Sequence, residues 1–254
     1  MAEVCEAALV RARDAGVTGC LLAGVDSDGW KVESELAGRH PQLAIAYGIH
    51  PQIVPLKDDA ALDEQLRLLS AIFSGSSRAL RRPNALGEVG LDALTPATSA
   101  SLPRQERIFR RQLAIAREHE VPIVLHILRT HGPAMRILKS DGVPRCGGVV
   151  HSYSGSAELV ADYLKLGLSI SFAGAVTYPN ARRQQAAARA VPLERLLVET
   201  DAPDQTPWSR RPGPNEPAFL GEVLDALAII RAEPRADIER ATEDNARRLF
   251  GLTS

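Results

Sequence analysis

Val121-Pro122-Ile123-Val124-Leu125-His126 is an unbroken apolar run that ends on an imidazole. A strand covered by helices on both faces reads this way, because neither face meets water and no polar alternation is needed. The pattern recurs along the chain. Asn84-Ala85-Leu86-Gly87 is closed by Glu88, Gly147-Gly148-Val149-Val150 by His151, and Leu196-Leu197-Val198-Glu199-Thr200 is followed by Asp201. Further strand-like runs lie at 17–24, 43–49 and 168–172. Amphipathic stretches near 2–15, 27–39, 58–74, 103–119, 131–140, 156–166, 180–190, 217–232 and 237–249 alternate with all of these. Strands separated by helices pair in parallel through right-handed crossovers. The expected fold is therefore α/β, a TIM-type (β/α)8 barrel formed by residues 1–254 as a single domain. Seven strand runs are visible where such a barrel has eight, and the chain opens with a helix. Val4, Ala7, Ala8 and Val10 have near-helical spacing and Gly16 then supplies a stop. The first strand is thus expected to be missing from this chain, which leaves either an open seam or a natural start upstream of Met1.

Composition narrows the partners. With 30 Lys and Arg against 31 Asp and Glu, the net charge of −1 supplies no global basic field for a long polyanion. Local contact with phosphate through metal ions stays open. The apolar share of 45% is enough for a full core. Three widely spaced cysteines, Cys5, Cys20 and Cys146, form no Cys-x-x-Cys pattern and read as reduced thiols. The N-terminus carries acid where a signal peptide carries base, and no run approaches the roughly 18 apolar residues of a membrane span. A cytoplasmic protein without a membrane partner is expected.

The C-terminal ends of barrel strands converge on one rim, where the active sites of this fold lie. Glu88, His126, His151 and Asp201 all fall at such ends. A lone strand-end histidine is more often a satisfied structural residue; four such residues on different strands make a set. Two imidazoles and two carboxylates suit a hard-to-borderline divalent cation, one or two of Mg, Mn or Zn. Such an ion lowers the pKa of water and polarises a phosphoryl or acyl oxygen. Asp201 is then both ligand and general base, and Glu88 can bridge two ions with its two oxygens. On strand alternation, Glu199 and Asp201 point one way and Thr200 the other. The expected chemistry is metal-assisted hydrolysis, with Asp201 and Glu88 as the catalytic pair.

Several motifs sharpen this. Gly48-Ile49-His50-Pro51, Gly87-Glu88-Val89-Gly90-Leu91-Asp92, His151-Ser152-Tyr153-Ser154-Gly155, Glu199-Thr200-Asp201-Ala202-Pro203 and Asn245-Ala246-Arg247-Arg248-Leu249-Phe250-Gly251-Leu252 stand in this order. Together they resemble the signatures of the TatD-like metal-dependent deoxyribonucleases, from about residue 2 to the C-terminus. The resemblance implies an amidohydrolase-type barrel, one or two divalent metal ions, and hydrolysis of phosphodiester bonds in DNA. It implies that Glu88 bridges the metals, that His126 and His151 hold one of them, and that Asp201 binds the other and handles the water proton. His50 would sit near the substrate phosphate, against a turn-stabilising reading of equal weight. Arg210, Arg211, Asn215 and Glu216 resemble a segment lining the entrance, although a solvated loop is the blander account of the arginines.

Two departures stand against a simple transfer. The family carries a His-x-His pair on its first strand, and this chain has no histidine before His40. The missing strand and the missing ligands are one absence, which favours an upstream start. The family also follows the His126-type ligand with Ser and Arg, where Ile127 and Leu128 stand here. Arg129 is one place further, a shift that reverses its face on a strand. The alternatives are a short form with one metal and weak hydrolysis, a non-catalytic binding protein with an open edge, and acyl or lactone hydrolysis on the same barrel. The preferred reading is a monomeric nuclease acting on single-stranded DNA or on ends.

Overall fold

A computed structural model of the protein describes residues 2–252, with seven strands among them that alternate with helices. The chain divides into two compact units. One comprises Cys20–Val150, Lys165–Leu168 and the chain from Leu249; the other comprises the chain up to Gly19, His151–Leu164 and Ser169–Arg248.

The helix α1 (Ala2–Asp14) opens the described chain and belongs to the second unit, ahead of any strand. In the first unit the order continues through β1 (Cys20–Gly24), α2 (Ser27–Arg39), β2 (Leu43–Tyr47), α3 (Asp59–Phe73), β3 (Ala85–Asp92), α4 (Pro96–Ala100), α5 (Leu102–Glu118), β4 (Ile123–Leu128), α6 (His131–Asp141) and β5 (Gly148–Val150). These strands are parallel neighbours in chain order. All five residues of β2 are buried, as a strand covered on both faces requires. The helices α2, α3 and α4 start where a short oxygen side chain meets the first free N–H groups. Asp26 accepts from the N–H of Asp28 and Gly29 ahead of α2, and Asp58 accepts from the N–H of Ala61 ahead of α3. Thr95 and Thr98 cap α4 reciprocally.

Two buried glutamines on one face of α5 fasten the loops at the ends of β2 and β3. Gln112 accepts from the N–H of Ile49 at 2.7 Å and donates to its carbonyl at 3.1 Å. Gln105 does the same for Asp92, at 2.8 and 3.0 Å. Each amide supplies the donor and acceptor that a neighbouring strand would otherwise provide, so the chain can leave the sheet without stranding buried polar groups. Trp30, fully buried, donates from Nε1 to the carbonyl of Gly48 at 3.1 Å and stacks on Tyr47 at 5.6 Å. The helix α5 and these contacts therefore fix the loops that carry His50 and Asp92.

The second unit contains α7 (Ala157–Lys165) for most of its length, most of β6 (Leu168–Phe172), α8 (Arg182–Ala190), β7 (Leu196–Val198), α9 (Leu220–Arg231) and most of α10 (Arg235–Phe250). Ile170, Ser171 and Phe172 pair in parallel with Leu196, Leu197 and Val198. Tyr153 packs edge-on against Tyr163 and Phe172, at 6.0 and 6.2 Å between ring centres. Asn245 on α10 donates to the carbonyls of Leu193 and Leu196, which ties the closing helix to the start of β7. No helix among the described residues is long and apolar enough to cross a membrane.

The expected strands and helices all appear, most with shifted boundaries, and the short helix α4 is an addition to the expected set. The run at 195–200 pairs only over Leu196–Val198. Glu199 still donates its N–H to the Phe172 carbonyl at 3.1 Å, but Asp201 takes φ 61°, in the left-handed region. The expected alternation of Glu199, Thr200 and Asp201 therefore has no strand to rest on.

Candidate metal centre

Glu88 and His126 lie inside β3 and β4 and do not close them. Both strands run on, pairing Val89 with Leu125, Gly90 with His126, Leu91 with Ile127 and Asp92 with Leu128. The register slips between Leu86 and Val89, so Glu88 sits where the ladder is broken and its side chain escapes the usual in-or-out choice. The Gly87–Glu88 peptide is cis. Glycine is obligatory beside this irregularity. A Cβ on Gly90, whose φ is +145°, would lie 2.0 Å from the carbonyl oxygen of His126.

Three ligand-type side chains of the first unit converge here. One donor atom each from His50, Glu88 and His126 lies within 4.8 Å of the others. His50 Nε2 is 3.3 Å and His126 Nδ1 3.9 Å from Glu88 Oε2, and the two rings meet edge-on at 4.3 Å. The remaining nitrogens are already engaged. His50 Nδ1 accepts from the N–H of Gln52 at 3.2 Å, so a neutral His50 carries its proton on Nε2, toward Glu88. His126 Nε2 is 3.1 Å from Asp92 Oδ2. The carboxylate keeps the proton on Nε2 and leaves Nδ1 with its lone pair on the Glu88 side. An imidazole nitrogen facing a carboxylate is a donor pair that a borderline divalent cation takes. The donor set therefore fits a metal ion.

Asp92 is fully buried and well satisfied. It accepts from Gln52 Nε2 at 2.9 Å, from the N–H of Leu94 and from Thr98 Oγ1 at 3.2 Å. Burial alone would push its carboxyl up, but the contacts with His126, Leu94 and Gln52 prevail and hold it well below the usual carboxylate range. Glu33 is the opposite case. Its Oε2 is buried without a hydrogen-bond partner, and burial, then the charge of Glu88, push its carboxyl up to about 8. Neither residue stood out in the sequence. Asp92 ends a quoted motif without an assigned role. Glu33 lies three residues after buried Trp30 on the inward face of α2, and an acid at that spacing was the signal.

In the second unit His151 follows β5 and is buried, with Nδ1 3.8 Å from Glu199 Oε1. Glu199 also accepts from the N–H of Ser152. The Gln205 amide reaches both Ser152 Oγ and Asp201 Oδ2. Ser152, Asp201 and Gln205 all adopt positive φ, 44°, 61° and 53°, which costs of order 1–3 kcal/mol each and is held in place by these contacts. The sequence pattern alone does not single out Glu199 or Gln205 as site residues. Asn215 donates to the carbonyls of Thr200 and Asp204 and so shapes the loop. Arg210 pairs with Glu222 at 2.7 Å, Glu216 pairs with Arg11, and Arg211 lies over aromatic rings. Arg129 is exposed at φ 60°, just past β4, so strand alternation does not set its direction.

A parallel α/β fold that brings two imidazoles and a carboxylate together, with a buried aspartate behind one imidazole, is the arrangement a metal-dependent hydrolase uses. Residues 2–251 match the family model of the TatD related DNases, and the chain belongs to that family. It is 32% identical over 250 residues to the uncharacterised metal-dependent hydrolase YjjV of Escherichia coli K12, spanning 97% of this chain and 92% of that protein. It is 34% identical to the 3'-5' ssDNA/RNA exonuclease TatD of a Rahnella strain, over 96% of this chain and 91% of the relative. The crystal structure of the Escherichia coli YjjV, a TatD homologue, superposes with a TM-score of 0.87 at 31% identity, over 98% of this chain and 92% of that one. The expected α/β fold of TIM-barrel type is thereby established. So is the class of metal-dependent hydrolase.

Proposed function

We propose that the protein is a metal-dependent phosphodiesterase that hydrolyses DNA, acting on single strands or ends, with Glu88, His126, His151 and Asp201 holding one or two divalent ions. The observation that carries this reading is the convergence of donor atoms from His50, Glu88 and His126 within 4.8 Å of one another, with His126 held from behind by buried Asp92, in a family whose named members include single-strand exonucleases. A bound cation would supply Lewis acidity at the phosphoryl oxygen and a more acidic water.

The chain's own residues supply the rest. Asp201 takes the proton of the attacking water as its oxygen bonds to phosphorus; the P–O bond to the leaving nucleotide breaks, and the leaving oxygen is protonated from solvent. Glu88 would help to hold the cation with its carboxylate. His50 presents Nε2–H to a non-bridging phosphate oxygen, having its other nitrogen fixed by Gln52. Arg210 and Arg211 meet the polyanion at the entrance. Near-neutral net charge favours short or single strands over long duplexes. We further infer a single catalytic domain that works as a monomer in the cytoplasm, in keeping with its three free cysteines.

The test is hydrolysis of end-labelled single-stranded DNA and RNA by protein loaded with Mg, Mn or Zn. Metal-dependent shortening that EDTA abolishes is expected. Turnover of lactones or amides with none of nucleic acid would overturn the phosphodiester assignment.

A further inference from the structure

Trp208 stands out among the exposed large side chains. It is 55% exposed, in the loop that leaves Asp201, while the other tryptophan, Trp30, is fully buried. The loop beneath it is held firmly. Trp208 donates its N–H to Thr177 Oγ1 at 2.8 Å, and the Tyr178 hydroxyl donates to the Thr206 carbonyl at 3.1 Å. A Cβ on Gly174 would fall 1.9 Å from the Gln205 carbonyl, so the two loops approach to backbone contact. Trp208 and Tyr178 meet at 6.1 Å with their planes 62° apart. The guanidinium of Arg211 lies over both rings, 5.5 Å from Tyr178 and 5.9 Å from Trp208. Arg210 lies over Phe219 at 4.9 Å. Arg211 has no carboxylate partner among the described residues, so its charge is available to a ligand.

We propose that Trp208, braced by Tyr178 and Arg211, is a stacking platform for a nucleobase of a single-stranded nucleic acid, with the Arg211 guanidinium meeting the adjoining phosphate; this rests on the phosphodiesterase reading above. A rigid exposed indole beside an unpaired guanidinium matches both halves of a nucleotide. Base stacking tolerates any sequence, and a neighbouring arginine adds charge. A duplex hides its base faces, so the platform selects frayed ends and single strands. The Arg210–Glu222 pair screens one of the two arginines, which leaves Arg211 as the stronger of the two phosphate contacts.

The experiment is titration of metal-loaded protein with a hydrolysis-resistant phosphorothioate octathymidylate and with its abasic counterpart, read by tryptophan fluorescence and by competition. The thymidylate should quench the emission and bind roughly tenfold more tightly than the abasic strand. In Trp208→Ala that preference should vanish, and in Trp208→Phe it should largely return. Arg211→Ala should weaken both strands alike. Equal affinity of wild type for the two strands, or an unchanged preference in Trp208→Ala, would overturn the platform. Cleavage of natural strands by the same preparation separates the two proposals. Cleavage without base preference removes the platform and keeps the phosphodiesterase; base-dependent quenching without cleavage does the reverse.

Discussion

Glu33→Gln should stabilise the protein at high pH and leave it almost unchanged at low pH. The carboxyl lies against Gly24, where an added Cβ would come within 2.7 Å of Oε2, and that oxygen has no hydrogen-bond partner. Burial, and then the charge of Glu88, raise it from 4.5 to about 8. A group whose folded value lies above its unfolded value binds its proton more tightly when folded. Stability then falls as pH rises from about 4.5 to about 8, and the penalty is complete above that. Each pH step costs about 1.4 kcal/mol, so this window sets a ceiling of about 5 kcal/mol. Against a typical stability of about 5–15 kcal/mol this is a large fraction. Gln keeps the shape and cannot ionise. Urea unfolding of both proteins from pH 5 to pH 9, in EDTA to keep cations off Glu88, gives the comparison. The two should agree within about 1 kcal/mol at pH 5, and the variant should gain steadily above pH 6. Parallel stability curves across the range would refute the buried, unpartnered charge.

Asp92→Asn removes the anion that holds the proton on His126 Nε2; divalent-metal affinity measured by calorimetry should fall about 10- to 100-fold with the circular dichroism unchanged. Asp201→Asn should lower turnover on single-stranded DNA by about a hundredfold or more while the protein stays folded; near-normal turnover would sink its role as base. Gly90→Ala drives a Cβ into the His126 carbonyl at a backbone angle that disfavours side chains, and should cost about 3 kcal/mol or more in chemical denaturation.

The elements were legible because each carries its own signal. The bounds of α2 follow from Asp26, whose carboxylate caps it, and from the apolar face of Trp30, Leu36 and Ala37. The strand β2 is buried throughout and reads as an apolar run, whereas β6 is buried throughout although Ser169 and Ser171 alternate with its apolar residues. What the sequence hid is where pairing stops. Apolar composition places Glu88 and His126 at the ends of their runs. The ladder nevertheless continues to Asp92 and Leu128, because Val89, Leu91 and Ile127 are buried as well. At β7 the opposite happens, since polar Glu199 and Thr200 read as strand but follow its last paired residue. The cation–π contacts of Arg211 were equally hidden, being made across the loop to Tyr178.

The same limit explains why a list of histidines is an incomplete account of a metal centre. His50 and His126 look equivalent as letters, each at the end of an apolar run and each beside Glu88. Their neighbours make them opposites. A backbone N–H occupies Nδ1 of His50 and leaves a donor on its inner nitrogen; the Asp92 carboxylate occupies Nε2 of His126 and leaves an acceptor on its inner nitrogen. A cation needs the second and a phosphate oxygen the first. On the proposed reading, the division of labour between ligand and substrate contact follows from Gln52 and Asp92. Gln105 in turn holds the backbone of Asp92 from α5, two turns before Gln112 holds that of Ile49 beside His50. One helix face thus sets the positions of both imidazoles, and a substitution there reaches the chemistry through the loops it fastens.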